Sequence, residues 1–207
     1  MSTPKYLQPY ENAVGLHGGT FEAMLWRTRE GQELRFKAFT DEIDFSEKTI
    51  LDVGCGIGDF AAFLIRSNIP FRSFLGIDAI DEMVQSANER QLENCTFTTG
   101  DVVVDTRLLE QSEWYIFSGT LNAMQQSEAI TLIDQAFKAC SVGVAFNFLS
   151  NQSWRNPESE DLSPASRFDT IELLTHAFTL TPLVSFSQEY LGGHDATIVI
   201  RKQEVSQ

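Results

Sequence analysis

Three glycines alternate with other residues directly after an apolar run near position 50. The segment Ile50–Phe60 has the sequence ILDVGCGIGDF, which places glycine at 54, 56 and 58. Glycines at such a turn let the chain bend tightly and let a ligand lie against bare backbone, as in many nucleotide sites. The spacing is GxGxG, whereas dinucleotide binders favour GxGxxG and phosphate-binding loops end in Gly-Lys-Ser/Thr. Because the turn contains no basic residue, a pyrophosphate would find no counter-charge there.

The elements that would hold this turn are apolar runs of strand length that alternate with amphipathic segments of helix length. Five strands are predicted, at 49–53, 72–77, 95–99, 114–118 and 142–149. Helices are predicted between them, at 59–67, 81–90 and 126–139. This alternation indicates parallel strands joined by right-handed crossovers. Ligands of such a sheet lie at the carboxyl ends of its strands, where the glycine turn stands.

The last third of the chain follows a different pattern. A polar loop is predicted at 151–167 and a short helix at 169–177. Apolar runs at 180–190 and 196–201 then flank Gly192-Gly193-His194-Asp195, which is typical of a hairpin. We therefore predict an α/β fold with a doubly wound, mostly parallel, seven-stranded sheet and a final antiparallel strand.

The glycine turn and three later segments together resemble class I S-adenosylmethionine (SAM)-dependent methyltransferases. LDVGCGIGDF is similar to the first motif of that family, and Gly76-Ile-Asp78, Thr99-Gly-Asp-Val102 and Ser118-Gly-Thr120 follow at the ends of the next three strands. The lead-in to the first strand also resembles a group of uncharacterised bacterial methyltransferases. The resemblance covers about residues 49–150 and implies a Rossmann-like fold with SAM as the cofactor. Residues 46–207 would be the SAM-binding methyltransferase domain, and residues 1–45 an N-terminal helical extension or lid.

The resemblance also implies roles for individual residues. Asp78 would accept hydrogen bonds from both ribose hydroxyls, which suits a carboxylate because it only accepts. Met83 would pack on the adenine ring, Asp101 would hold the adenine amino group, and Ser118 would lie near the methionine and the acceptor. The residues expected at the cofactor are Asp52, Gly54, Cys55, Gly56, Gly58, Asp59, Phe60, Asp78, Ala79, Met83, Asp101, Val102, Ser118, Gly119 and Arg35.

Several of these residues have a purely structural alternative. Asp52 could cap the turn that follows it, and Asp78 with Asp81 could be acids at a helix start. Cys55 fits a small loop residue better than a nucleophile, because no His or Lys neighbours it in sequence. Four such positions at the carboxyl ends of consecutive strands favour the cofactor role.

Basic residues outside the motifs are candidates for the reaction itself. Arg35 could pair with the methionine carboxylate, with Arg27 as the second candidate, or it could be a solvated arginine beside Glu33. His194, at the hairpin tip, and His17, between glycines, are candidate catalytic bases, and each could equally be a polar turn residue.

The segment from residue 10 to residue 36 could form a hinged lid. Glycines at 15, 18 and 19 would supply the hinge, and Tyr10 and Trp26 could cover a small acceptor. The alternative is a fixed helix at 21–41, because Phe21, Leu25 and Phe36 have helical spacing.

The acceptor is predicted to be a small molecule rather than a nucleic acid. The net charge of −14 repels phosphate backbones, although acidity also serves solubility. Relatives that methylate adenine or glutamine carry Asn/Asp-Pro-Pro-Tyr/Phe after the fourth strand, where this chain has Ser118-Gly-Thr-Leu-Asn122. Relatives that methylate catechols hold a divalent metal through acids in that region, and since 119–126 has none we expect no metal.

We therefore predict SAM-dependent methyl transfer to a small-molecule acceptor. One alternative is a non-catalytic SAM-binding module or partner subunit. Another is an aminopropyl-transferase-like enzyme of the same fold, which the absence of an acidic cluster at 118–122 disfavours.

Composition limits where such a protein would work. No apolar run approaches the roughly 20 residues that span a bilayer, so no membrane partner is expected. The three cysteines are scattered and form no CxxC pair, which favours a reducing, cytoplasmic setting.

Overall fold

One eight-stranded sheet organises the chain, whose residues 3–153 and 163–203 are described by a computed structural model. The strands are β1 (Thr49–Val53), β2 (Ser73–Asp78), β3 (Cys95–Thr99), β4 (Trp114–Phe117), β5 (Gly143–Ser150), β6 (Arg167–Phe168), β7 (Val184–Ser187) and β8 (Asp195–Arg201). Their spatial order is β3-β2-β1-β4-β5-β8-β7, and β6 pairs with β5 outside this path. β8 is antiparallel to both β5 and β7, whereas β1 to β5 pair in parallel. The predicted mostly parallel sheet with a final antiparallel strand is confirmed.

Six α-helices flank or precede this sheet. They are α1 (Gln8–His17), α2 (Arg29–Glu42), α3 (Asp59–Arg66), α4 (Asp81–Glu89), α5 (Gln126–Ala139) and α6 (Thr170–Leu180). The helices predicted after the first, second and fourth strands correspond to α3, α4 and α5. The predicted polar loop at 151–167 lies largely outside the described residues, which stop at 153 and resume at 163.

The single helical stretch expected at 21–41 is interrupted. Phe21–Met24 forms one 3₁₀ turn, which ends at Leu25 because that residue has a φ of 58° in the left-handed region. α2 then begins after Thr28, whose hydroxyl oxygen accepts a hydrogen bond from the Gly31 N–H at 3.0 Å. A threonine in this position satisfies one of the free N–H groups of the helix start, a capping signal that apolar spacing alone does not reveal.

The core lies on both faces of the sheet. All eight residues of β5 are buried, which a strand covered on both faces requires. Phe36 and Phe39 of α2 pack in one cluster with Phe60 of α3 and Phe74 of β2. Part of the N-terminal segment is therefore built into the core beside the glycine turn.

None of the described helices is both long enough and apolar enough to cross a bilayer.

Candidate functional site

The carboxyl ends of β1 to β4 open into one cleft with a volume of about 800 Å³, which includes space open to solvent. Its predicted lining residues are Gly54, Gly56, Asp78, Ala79, Met83, Asp101, Val102, Ser118 and Gly119. Side chains from the N-terminal segment, among them Tyr10 and Trp26, line the same cleft. The ends of four strands and the segment from residue 6 to residue 26 thus meet at this cleft.

The glycine turn gives the cleft a floor of bare backbone. Gly54, Gly56 and Gly58 all have positive φ, at 73°, 53° and 76°, a region that L side chains rarely adopt. A Cβ on Gly56 would lie 2.6 Å from the Met24 Sδ, and one on Gly54 would lie 2.5 Å from the Thr120 Oγ1. The turn therefore excludes side chains at both cleft-lining glycines.

Asp78, at the end of β2, is held by backbone donors on both sides. Its Oδ2 accepts from the Gly56 N–H at 2.8 Å, and its Oδ1 accepts from the Ile80 N–H at 3.0 Å. Burial raises the pKa of this carboxyl, and the backbone hydrogen bonds oppose the rise. Because a carboxylate offers about four acceptor positions, two remain for donors in the cleft.

Asp52, at position four of β1, is buried below the glycine turn and does not line the cleft. Its Oδ1 has no hydrogen-bond partner among the described residues. Burial and the nearby charge of Asp78 raise the pKa of Asp52 to about 8. A cationic ligand beside these two carboxylates would relieve their mutual repulsion.

Asp101, after β3, is engaged by α1 and its lead-in. Its Oδ2 accepts from the Tyr6 hydroxyl at 2.7 Å, and its Oδ1 accepts from the Val103 N–H at 3.0 Å. Tyr10, one turn further along, has its pKa raised to about 12 by burial and by the charge of Asp78. Two tyrosines thus place the N-terminal helix across the Asp78–Asp101 side of the cleft.

The end of β4 is shaped by β5 and by Trp26. The Asn147 side chain, buried on β5, accepts from the Gly119 N–H at 2.8 Å and donates to the Ser118 Oγ at 3.3 Å. A Cβ on Gly119, whose φ is 74°, would lie 2.4 Å from the Trp26 ring. Glycine at 119 thus lets the indole lie directly on the chain.

Arg35 does not line the cleft; it lies behind Trp26. Its Nε donates to the Oδ2 of the fully buried Asp195 at 2.5 Å, and its guanidinium lies 4.7 Å from the Trp26 ring centroid. The Asp195 Oδ1 contacts the His194 Nδ1 at 2.7 Å. Arg35 and His194 therefore contact the same carboxylate, that of Asp195. Neither residue lines the cleft. The methionine-carboxylate role of Arg35 and the catalytic role of His194 stay predictions.

The other predicted residues of the turn also lie outside the lining. Cys55 is buried, and burial raises the pKa of its thiol, which keeps it protonated. Asp59 is ion-paired with Arg90 at 2.6 Å, and Phe60 packs in the aromatic core. His17, at the end of α1, is exposed and is not part of the cleft.

Sequence reasoning missed Tyr6, Met24 and Asn147. Tyr6 and Met24 lie in the segment before α2, and no spacing there indicates that Tyr6 has a partner 95 positions away. Asn147 could have been noticed, because a lone amide within an otherwise apolar strand requires a hydrogen-bond partner.

Among the described residues no group of three or more His, Cys, Asp or Glu side chains could hold a metal ion.

Comparison with known proteins finds a family model that matches the segment carrying most of this cleft. Residues 50–143 match the family model described as a methyltransferase domain. No curated protein sequence matches the chain significantly.

Three solved structures of low sequence identity share the fold over most of the chain. The DhpI–SAM–HEP complex covers 98% of this chain and 100% of its own, with 12% identity and a TM-score of 0.71. The second is magnesium protoporphyrin IX methyltransferase from Synechocystis PCC 6803 with bound S-adenosylhomocysteine (SAH). The match covers 95% of this chain and 94% of the Synechocystis chain, with 14% identity and a TM-score of 0.67. The third is phosphoethanolamine N-methyltransferase 1 from Haemonchus contortus in complex with phosphoethanolamine and SAH. The match covers 98% of this chain and 49% of the Haemonchus chain, with 14% identity and a TM-score of 0.69.

The family match spans β1 to β4 almost entirely and ends at the first residue of β5, and it includes the glycine turn, Asp78 and Asp101. Residues 50–143 thus match a methyltransferase domain, and the whole fold is shared with solved structures of SAM-dependent methyltransferases.

Proposed function

We propose that this chain transfers the methyl group of SAM to a small-molecule acceptor bound in the cleft at the ends of β1 to β4. The observation that carries the proposal is the shared cleft, in which the glycine turn, Asp78 and Asp101 face the end of β4 across about 800 Å³.

The residues present fit SAM. The turn at Gly54 and Gly56 is a cradle that a Cβ would fill, so a ligand can approach the backbone closely. Asp78 retains acceptor capacity for ribose hydroxyls, and the buried Asp52, whose Oδ1 has no partner among the described residues, lies beneath the turn. When bound, SAM supplies a methyl group attached to a sulfonium, from which the neutral thioether leaves without further activation.

The chain's own residues then have three tasks. Asp78 and Asp101 fix the adenosine half, while Met83 packs beside them in the wall of the cleft. The N-terminal helix, tied to Asp101 through Tyr6, excludes water from the cleft. Trp26 and the end of β4 would orient the acceptor so that its lone pair faces the methyl group that SAM would supply. The products are the methylated acceptor, SAH and, from a protonated nucleophile, one proton.

A small molecule is favoured over a nucleic acid by charge. Asp78 and Asp101 are the charged residues of the described lining, and the whole chain carries −14. The Haemonchus neighbour, which is an N-methyltransferase, holds the small molecule phosphoethanolamine in its structure.

Incubation of the purified protein with methyl-¹³C-labelled SAM and an extract of small metabolites tests the proposal. We expect SAH to accumulate and mass spectrometry to detect a labelled small molecule. An Asp78→Asn variant is the matched control and should lose most of the transfer. SAH binding without any labelled product from several extracts would instead indicate a non-catalytic SAM-binding module.

A further inference from the structure

The half of the cleft at the end of β4 differs in charge from the half that faces β2 and β3. We define the acceptor wall as the lining residues Trp26, Ser118, Gly119, Thr120, Ala123 and Met124. None of the six is charged, whereas Asp78 and Asp101 stand on the other side. Among the residues that the structure describes, the whole lining contains no Lys, Arg or His.

Arg35, the arginine that contacts the Trp26 ring, has its charge paired away from this wall. Arg35 lies behind the Trp26 ring, and its Nε is paired with Asp195, a carboxylate that is fully buried. A phosphate or carboxylate in the cleft would therefore lose its hydration and gain no opposite charge from these residues, which is strongly unfavourable.

A positively charged acceptor is disfavoured for a different reason. A protonated amine has no lone pair with which to attack the methyl carbon, and the acceptor wall offers no group that would remove its proton. Neither of its two hydroxyls is a base: Thr120 donates to the Val53 carbonyl at 2.7 Å, and Ser118 accepts from the Asn147 amide. The wall therefore suits a molecule that enters without charge.

Trp26 gives this wall its shape. Its ring lies against Gly119, where any side chain would collide, and the Arg35 guanidinium backs it at 4.7 Å from the ring centroid. The Arg35–Asp195 pair holds the ring in place before any ligand arrives, so little ordering is needed on binding. A ring fixed in this way is a platform on which another flat molecule can stack.

We propose that the acceptor is an uncharged, flat, conjugated molecule that stacks on Trp26. The proposal rests on the proposed function, because it concerns the second ligand of the same cleft. Arg35 is a positioning residue in this account, since it acts through the indole and does not line the cleft.

Binding of four matched probes to the SAH-saturated protein tests this proposal. The probes are 2-naphthol, 2-naphthoate, 2-naphthyl phosphate and 2-naphthylmethylammonium, with affinities measured by equilibrium dialysis. We expect 2-naphthol to bind at least tenfold more tightly than each charged probe. Equal or tighter binding of a charged probe would overturn the proposal, as would the absence of 2-naphthol binding at millimolar concentration.

Variants then assign the binding to the ring. Trp26→Ala should weaken 2-naphthol binding at least tenfold, Trp26→Phe should weaken it less, and the neighbouring Leu25→Ala should leave it unchanged. SAH affinity should stay within threefold in all three variants. A larger loss of SAH affinity in Trp26→Ala would assign the ring to the cofactor and refute its role as a platform. If SAH fails to bind even the wild-type protein, the proposed function fails as well, which separates the two failures.

Discussion

At the scale of single residues, Asp78 is the side chain on which we expect cofactor binding to depend most. Backbone N–H groups of Gly56 and Ile80 fix both of its oxygens, so its orientation is set before a ligand arrives. The sequence predicted this residue from its place at the end of the second strand. It could not predict that Gly56 would be one of its donors, because that contact depends on the path of the glycine turn.

The substitution Asp78→Asn should weaken SAH binding by about 1–3 kcal/mol, because charge-assisted hydrogen bonds to the ribose would be lost. Calorimetric titration measures this loss. Asp81→Asn, three residues further at the exposed start of α4, is the matched control and should bind SAH as the wild type does. Unchanged affinity in Asp78→Asn would refute the ribose role.

Asp52 predicts a pH dependence of stability. Its pKa is raised from 3.8 to about 8 in the folded protein, so the folded state holds a proton that the unfolded state releases between these values. The free energy of unfolding should therefore fall as pH rises from 4 to 8. In Asp52→Asn, which stays neutral, the fall between pH 5 and 8 should be smaller by at least about 1 kcal/mol, the equivalent of one pKa unit. Urea unfolding at pH 5 and pH 8 measures the free energy of unfolding of each protein. An equal decrease in the wild type and in Asp52→Asn would contradict the account.

At the scale of elements, the N-terminal segment divides into two parts with different contacts. α2 is built into the core through Phe36 and Phe39, whereas Leu25, which the fixed-helix alternative also placed in the core, is exposed. α1 and its lead-in instead cover the cleft, with Tyr6 bonded to Asp101. The division falls at Leu25 to Thr28, where the left-handed residue and the cap separate the 3₁₀ turn from α2.

Hydrogen exchange should distinguish these two parts. Amides of α1 should exchange quickly in the free protein and slow markedly when SAH is added, because a lid gains protection only when it closes on a ligand. Amides of α2 should be protected in both states. Protection of α1 that does not change with SAH would refute the lid, and Tyr6→Phe should speed exchange in α1 by removing its bond to Asp101.

Elements with a strong local signal were predictable, and those defined by distant contacts were not. The alternation of strands and helices from 49 to 150 predicts the parallel pairing of the sheet's first half, because parallel strands require crossovers. The same patterns could not reveal that Trp26 meets Gly119 or that Arg35 meets Asp195. Those contacts join positions 93 and 160 residues apart, and nothing in the local sequence encodes them.

At the scale of the whole molecule, net charge limits the partners. With 29 acidic and 15 basic residues, the chain should show no measurable affinity for duplex DNA or RNA at physiological salt. A gel-shift titration at micromolar protein concentration checks this prediction. A shift that weakens steeply as salt is added would contradict it, since such salt dependence reports contacts to phosphates.

Calorimetric titration of the wild-type protein with SAH, with NAD as the comparison ligand, tests the central claim most directly. The account predicts one SAH per chain with a dissociation constant in the micromolar range. It also predicts a higher melting temperature with SAH, because a ligand that binds the folded state stabilises it. NAD should bind weakly or not at all, since the GxGxG turn carries no basic residue for a pyrophosphate. Binding of NAD without binding of SAH would contradict the account.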